Sequence, residues 1–127
     1  MKIHHIAIWT KNLEAMKDFY TNYFKGNCNE KYSNPVKKFE SYFVRFDNGA
    51  KIELMRKATS VGQSEDEERL GITHIAFMLE SKEAVIALTE RLRSDGIRIV
   101  GEPRTTGDGY FESVILDIEG NRIELIA

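Results

Sequence analysis

Apolar and polar positions along this 127-residue chain fall into two successive blocks of similar order. Residues 2–9 alternate, with Ile6 and Ile8 on one face of a predicted strand and His5, Ala7 and Trp9 on the other. Leu13, Met16, Tyr20, Tyr23 and Phe24 then recur at helical spacing behind Asn12, a residue type that caps helix N-termini, and Gly26 marks the stop. The stretch 30–38, which contains Pro35, predicts one short strand and a loop. Phe39 to Phe46 is aromatic-rich and β-prone, Asp47-Asn48-Gly49 reads as a hairpin turn, and Ala50 to Arg56 returns as a strand.

Residues 58–70 are polar and carry the run Glu65-Asp66-Glu67-Glu68, which reads as a solvated face within a linker. The order then repeats. Ile72 to Leu79 predicts a strand, Ser81 a cap, and Val85, Leu88 and Leu92 the apolar face of a helix ending near Gly96. Ile97 to Val100 predicts a short strand, and Tyr110 to Asp117 with Asn121 to Ile126 a hairpin around Glu119-Gly120.

Two short segments recur inside this shared order. His5-Ile6-Ala7-Ile8 returns as His74-Ile75-Ala76-Phe77, and Lys51-Ile52-Glu53-Leu54 as Arg122-Ile123-Glu124-Leu125. Each histidine precedes its helix cap by the same interval, His5 to Asn12 and His74 to Ser81. Each hairpin glycine precedes its glutamate by the same interval, Gly49 to Glu53 and Gly120 to Glu124. Agreement at both spacings points to a duplicated unit. The expected fold class is α+β, with two β-α-β-β-β modules over about 1–57 and 71–127 joined by the linker 58–70 and forming one domain. A half-chain buries little surface alone, so the halves are expected to depend on each other or on a partner chain.

The alternation carries the candidate chemistry. In the hairpin strands Glu53 opposes Ile52 and Leu54, and Glu124 opposes Ile123 and Leu125, while His5 and His74 oppose the apolar residues of their own strands. If the apolar faces pack under the helices, all four polar groups project from the opposite side, with small neighbours at Ala7 and Ala76. Taken singly, a strand glutamate most often lies on a wet face, and a strand histidine is more often structural than a ligand. Recurrence in register favours the joint reading: two imidazoles and two carboxylates suit a divalent cation. By parity His4 falls on the helix side, has Thr73 as its counterpart, and is not expected to be a ligand. Trp9 and Phe111 are each candidates for core or pocket wall, and Trp9, which shares the parity of His5, is favoured as a wall.

Composition narrows the alternatives. A formal charge of -2 with scattered basic residues argues against nucleic-acid binding. The single cysteine, Cys28, excludes an intramolecular disulfide framework and reads as a packed thiol in a reducing compartment. No apolar stretch has the length of a signal peptide or a bilayer span, so a cytoplasmic protein without membrane partners is expected. Phosphate-cradling glycine motifs, CxxC and a serine nucleophile elbow are absent. Gly107-Asp108-Gly109 reads as a flexible turn.

These motifs resemble the vicinal oxygen chelate superfamily, and within it the glyoxalase I-like proteins. The resemblance covers almost the whole chain: His5-Ile6-Ala7-Ile8, Asp18-Phe19-Tyr20, Ile52-Glu53-Leu54, Gly71 to Phe77, and Asp117 to Leu125. In the last, Ile118 and Glu119 replace the Pro and Asp of the family's Asp-Pro-Asp-Gly-Asn hairpin. The resemblance implies paired βαβββ modules forming an open, mostly antiparallel barrel. It also implies a divalent metal (nickel, zinc or cobalt, with iron or manganese as further options) held by His5, Glu53, His74 and Glu124. A homodimer is implied, with His5 and Glu53 of one chain meeting His74 and Glu124 of the other. Bacterial members carry an arginine four residues after the first histidine and an asparagine four after the first glutamate, both for glutathione. Trp9 and Lys57 stand there here, so the departures fall on substrate binding.

The expected function is a metal-dependent lyase or isomerase that moves a proton next to a chelated carbonyl through an enediolate, with Glu124 as base and Glu53 able to serve the opposite face. Its substrate would be a small α-oxo compound or thiol adduct, in the manner of lactoylglutathione lyase. An acyl-thioester epimerase would use the same steps, but such epimerases usually carry glutamine at the first glutamate. A non-haem iron dioxygenase needs only two histidines and one carboxylate, and Glu53 would occupy a position left open for dioxygen. A drug-sequestering protein of the same fold would need no metal ligands, yet all four positions are present.

Overall fold

The structure, a computed structural model, describes residues 4–47, 49–58, 72, 74–107 and 109–127. The chain divides into two compact units, Met1–Gln63 and Ser64–Ala127. Apart from Ala58, the linker 58–70 with its acidic run lies outside the described residues, as do Asn48 and Asp108 of the two predicted turns.

The first unit runs β1 (Ile6–Trp9), α1 (Leu13–Phe24), β2 (Asn27–Cys28), β3 (Tyr32–Asn34), β4 (Phe39–Arg45) and β5 (Lys51–Lys57). Its sheet has the order β1-β5-β4-β2, with β3 also on β4. β1 pairs β5 in parallel and the other pairs are antiparallel. Asn12 caps α1 by accepting from the Ala15 N–H at 3.1 Å. The helix closes at Lys25 in the left-handed region, where the Gly26 N–H reaches the Tyr20 carbonyl. A Cβ at Gly26 would collide with the Val44 side chain, so the chain passes there only as glycine. Leu13, Met16, Phe19 and Tyr20 pack against Tyr42, Val44, Ile52 and Leu54 to make the core. The paired residues Ile6↔Ile52 and Ile8↔Leu54 share this helix-side face.

An ionic cluster pins the same helix to its sheet. The Tyr42 hydroxyl donates to Glu14 at 3.1 Å, and Lys31 pairs with the same carboxylate. The Lys31 hydrogen bond, helped by Tyr42 and Lys17, holds the Glu14 carboxyl below its ordinary pKa. Burial, with the bond to Glu14, pushes the Tyr42 phenol up. Cys28 is half-buried and burial raises its thiol, so it stays protonated as expected of a packed cysteine.

The second unit runs β6 (His74–Met78), α2 (Lys82–Ser94), β7 (Ile99–Thr105), β8 (Phe111–Leu116) and β9 (Arg122–Ile126), in the sheet order β6-β9-β8-β7. Again the first strand pairs the last in parallel. Ser81 caps α2 through the Ala84 N–H at 3.1 Å. Val85, Thr89 and Leu92 are buried against Ser113, Ile115, Ile123 and Leu125, and the Thr89 and Ser113 hydroxyls bond each other at 2.7 Å. Asp117 accepts from the Glu119 and Asn121 backbone N–H groups at 3.0 and 2.9 Å, and Gly120 takes φ 88°, which shapes the β8–β9 hairpin.

The α+β fold with two like modules is therefore present, as two open sheets each carrying one helix. Two details differ from expectation. Among the described residues nine strands replace eight because the second strand of the first unit is split: β4 advances three residues from Val44 to Ser41 while its partner advances four, from Cys28 to Tyr32. One extra residue is a β-bulge. Strand β7 runs on to Thr105 instead of stopping at Val100, because Pro103 costs no ladder hydrogen bond on an edge strand and the register shifts around it. No helix among the described residues is long and apolar enough to cross a membrane.

Candidate metal centre

In the first unit the parallel β1–β5 register aligns Ala7 with Glu53 on the face opposite α1. His5, just before β1, reaches across so that its Nε2 lies 3.5 Å from Glu53 Oε2. The side chains are 36% and 17% exposed, open enough for a ligand and sheltered enough to be positioned. The second unit repeats the arrangement. Ala76 aligns with Glu124, and His74 Nε2 lies 3.3 Å from Glu124 Oε2, with 39% and 23% exposure. The sequence-predicted residues are thus brought together as two His–Glu pairs, one per unit. Among the described residues no group of three or more His, Cys, Asp or Glu side chains gathers. Each pair offers an imidazole nitrogen and a carboxylate oxygen, a donor set that fits half the shell of a borderline divalent cation.

The surroundings of the pairs differ. The His5 ring meets Phe43 edge-on with centroids 5.4 Å apart, and its Nδ1 lies 2.9 Å from His4 Nδ1. His4 Nε2 is 3.1 Å from Lys51 Nζ. The ammonium can only donate, so His4 Nε2 accepts and His4 Nδ1 carries the proton. His4 is therefore not on the helix side, as strict alternation predicts. It is exposed, because β1 begins only at Ile6 and the preceding backbone is not bound to strand parity.

Trp9 lies exposed on the His5 side of β1, edge-on to Phe39 at 6.3 Å, and Tyr32 adds a third ring 6.1 Å from Phe39. Lys57 Nζ sits 5.9 Å from the Trp9 ring centroid. Trp9 and Lys57 therefore occupy one end of the face that carries Glu53. Phe111 does not share the face of Glu124. It alternates with Glu112 and so lies on the side of Ser113 and Ile115, with Lys82 of α2 over its ring at 5.5 Å.

Residues 2–125 match the model of the Glyoxalase/Bleomycin resistance protein/Dioxygenase superfamily, and the chain belongs to that family. It is 27% identical over 128 residues to the uncharacterized protein YqjT of Bacillus subtilis (strain 168), covering 98% of each chain. The glyoxalase family protein from Enterococcus faecalis superposes with a TM-score of 0.82 at 26% identity, over 99% of this chain and 97% of that one. Glyoxalase I from Zea mays shares the fold, with a TM-score of 0.78 at 23% identity over 98% of this chain and 44% of that chain.

Proposed function

We propose that this protein is a metal-dependent lyase or isomerase of glyoxalase I type. The observation that carries the reading is the matched pair of contacts, 3.5 Å for His5–Glu53 and 3.3 Å for His74–Glu124, each on the face opposite its helix. His5, Glu53, His74 and Glu124 would hold one divalent ion, nickel, zinc or cobalt in preference to iron or manganese. When bound, that ion supplies Lewis-acid compensation for negative charge on two adjacent substrate oxygens.

The remaining chemistry belongs to side chains. Glu124 takes the proton from the carbon next to the carbonyl and returns it to the neighbouring carbon, and Glu53 can act on the opposite face. Both carboxylates lie beside an imidazole, which supports their orientation. Trp9 and Lys57 would contact the substrate, an α-oxo compound or thiol adduct. Membership in a family with glyoxalase I relatives supports this class of reaction, and the replacement of glutathione-binding residue types by Trp9 and Lys57 argues for a different thiol or none.

In the proposed assembly, His5 and Glu53 of one chain meet His74 and Glu124 of a second in a two-fold homodimer with two equivalent sites. The module boundaries belong to the same proposal: about 1–57 supplies one half-site and about 71–127 the other. The test mixes the inactive variants His5→Ala and Glu124→Gln. Activity is followed as metal-dependent exchange of the carbon-bound hydrogen of hydroxyacetone in D2O. One site of each heterodimer collects both lesions and the other is intact, so exchange reappears. Failure to recover exchange, with subunit mixing confirmed, overturns the shared site.

A further inference from the structure

Beyond the metal pair, the first unit carries a cavity of about 360 Å³ lined by Asn27, Cys28, Asn29, Phe43, Arg45 and Lys51. Its charge is one-sided. Arg45 and Lys51 are directly paired across β4 and β5, and like charges opposite one another destabilise a sheet. Neither has a carboxylate within 4.0 Å among the described residues. Arg45 makes no side-chain hydrogen bond there, and Lys51 contacts only the His4 nitrogen and, at 6.0 Å, the Phe43 ring.

The amides add donors. The Phe43 N–H donates to Asn29 Oδ1 at 2.7 Å, which fixes the amide orientation and leaves Nδ2 with hydrogens to give. The cavity therefore offers a guanidinium, an ammonium and an amide N–H with no acid among its lining residues. Arg45 is exposed and Lys51 half-buried, and an anion bound between them would relieve the repulsion of the paired cations.

The cavity borders the His5–Glu53 pair. Phe43 is the cross-strand partner of Glu53 and touches the His5 ring, and Lys51 lies two residues before Glu53 on one face of β5, about 6.6 Å along the strand. The second unit has no equivalent: at the register of Arg45↔Lys51 it places buried Leu116 opposite Arg122.

We propose that the Arg45–Lys51 cavity is an anion subsite that receives a carboxylate or phosphate group of the substrate whose reacting oxygens lie at the His5–Glu53 end. The substrate is then an α-oxo compound with an anionic tail. This rests on the metal-centred reading for its place in the reaction, but its anion chemistry is tested without metal.

Metal-free protein is titrated with sodium phosphate and, separately, sodium propionate at fixed ionic strength, and backbone amide shifts are followed. Saturable shifts are expected at residues 27–29, 43–45 and 51, and Arg45→Gln should weaken binding at least about tenfold, as expected for a charge-assisted hydrogen bond. Lys51→Gln, which removes the half-buried second cation, should weaken it as well. Tighter phosphate binding assigns a phosphorylated substrate, and tighter propionate binding a carboxylate. Shifts that do not saturate, or saturation unchanged in Arg45→Gln, overturn the subsite.

On nickel-loaded protein, a hydroxamate with a terminal carboxylate should bind about tenfold tighter than its carboxamide twin, and Arg45→Gln should bring the ratio near one. A ratio near one in the unmodified protein overturns the link to the substrate. Loss of nickel binding alone defeats the metal reading and leaves the phosphate result intact, so the two failures are distinguishable.

Discussion

The two units share one scaffold and differ in what they display. Leu54, Leu125 and Ile123 are fully buried and Ile52 nearly so, and each sheet carries a helix with a side-chain cap. In front of that common core each sheet presents one His–Glu pair. The first unit then adds His4, Phe43, Trp9, Lys57 and the Arg45–Lys51 cavity. At the corresponding registers the second unit has Val114 and Leu116, both buried, and at the place of Trp9 it has Met78. The difference is one of display: the scaffold and the His–Glu pairs repeat, whereas among the described residues the exposed tryptophan and the Arg45–Lys51 pair beside them belong to the first unit alone.

The largest effects should be symmetric. Leu54→Ala and Leu125→Ala each remove a fully buried side chain and are expected to cost about 2–5 kcal/mol in urea unfolding. A clear disparity between them would show that the cores are not equivalent. Next comes catalysis, where the symmetry should break. Glu124→Gln is expected to lower metal-dependent hydrogen exchange about 10²-fold or more, with little change in unfolding midpoint. A larger loss in Glu53→Gln than in Glu124→Gln would reverse the assignment of the principal base. Smaller still, His4→Ala should leave nickel affinity within about tenfold of the parent, because it touches the ring of His5 without belonging to the proposed ligands.

The smallest effect concerns pH. Glu14 is held below its ordinary value chiefly by Lys31, so its contribution to stability is present above the unfolded glutamate pKa of about 4.3. It is lost as pH falls through the lower folded value. Unfolding midpoints of the parent and Glu14→Gln should differ by a small constant amount from pH 5 to 7 and converge in acid. The second unit ties its helix differently, through the uncharged Thr89–Ser113 hydroxyl pair and through Arg93, which bridges Glu102 of β7. A gap that widens in acid would contradict this sign.

Much of the scaffold was legible because it is written locally. Asn12 and Ser81 sit one residue before their helices, and strand alternation placed Ile52, Leu54, Ile123 and Leu125 behind their sheets and Glu53 and Glu124 in front. The helix faces were read less well. Phe19 rather than Tyr23 and Phe24 completes the buried face of α1, and Thr89 rather than Leu88 that of α2, where its hydroxyl is satisfied by Val85 and Ser113. What escaped depends on pairing between distant strands. The bulge between β2 and β3 is a register event, the Glu14–Tyr42–Lys31 cluster joins α1, β4 and the link between β2 and β3, and Arg45 meets Lys51 only once β4 lies on β5. Phe111, open from sequence to either core or pocket wall, takes the helix-side face once β8 pairs β9 in register.

Nickel calorimetry on the parent and on His5→Ala, Glu53→Gln, His74→Ala and Glu124→Gln tests the central claim most directly. One ion per chain is expected, since a two-fold dimer with shared sites holds two, and each of the four variants should weaken binding by about one to two orders of magnitude or more. Two ions per chain, or affinity unchanged when either histidine is removed, would contradict a single centre built from both His–Glu pairs.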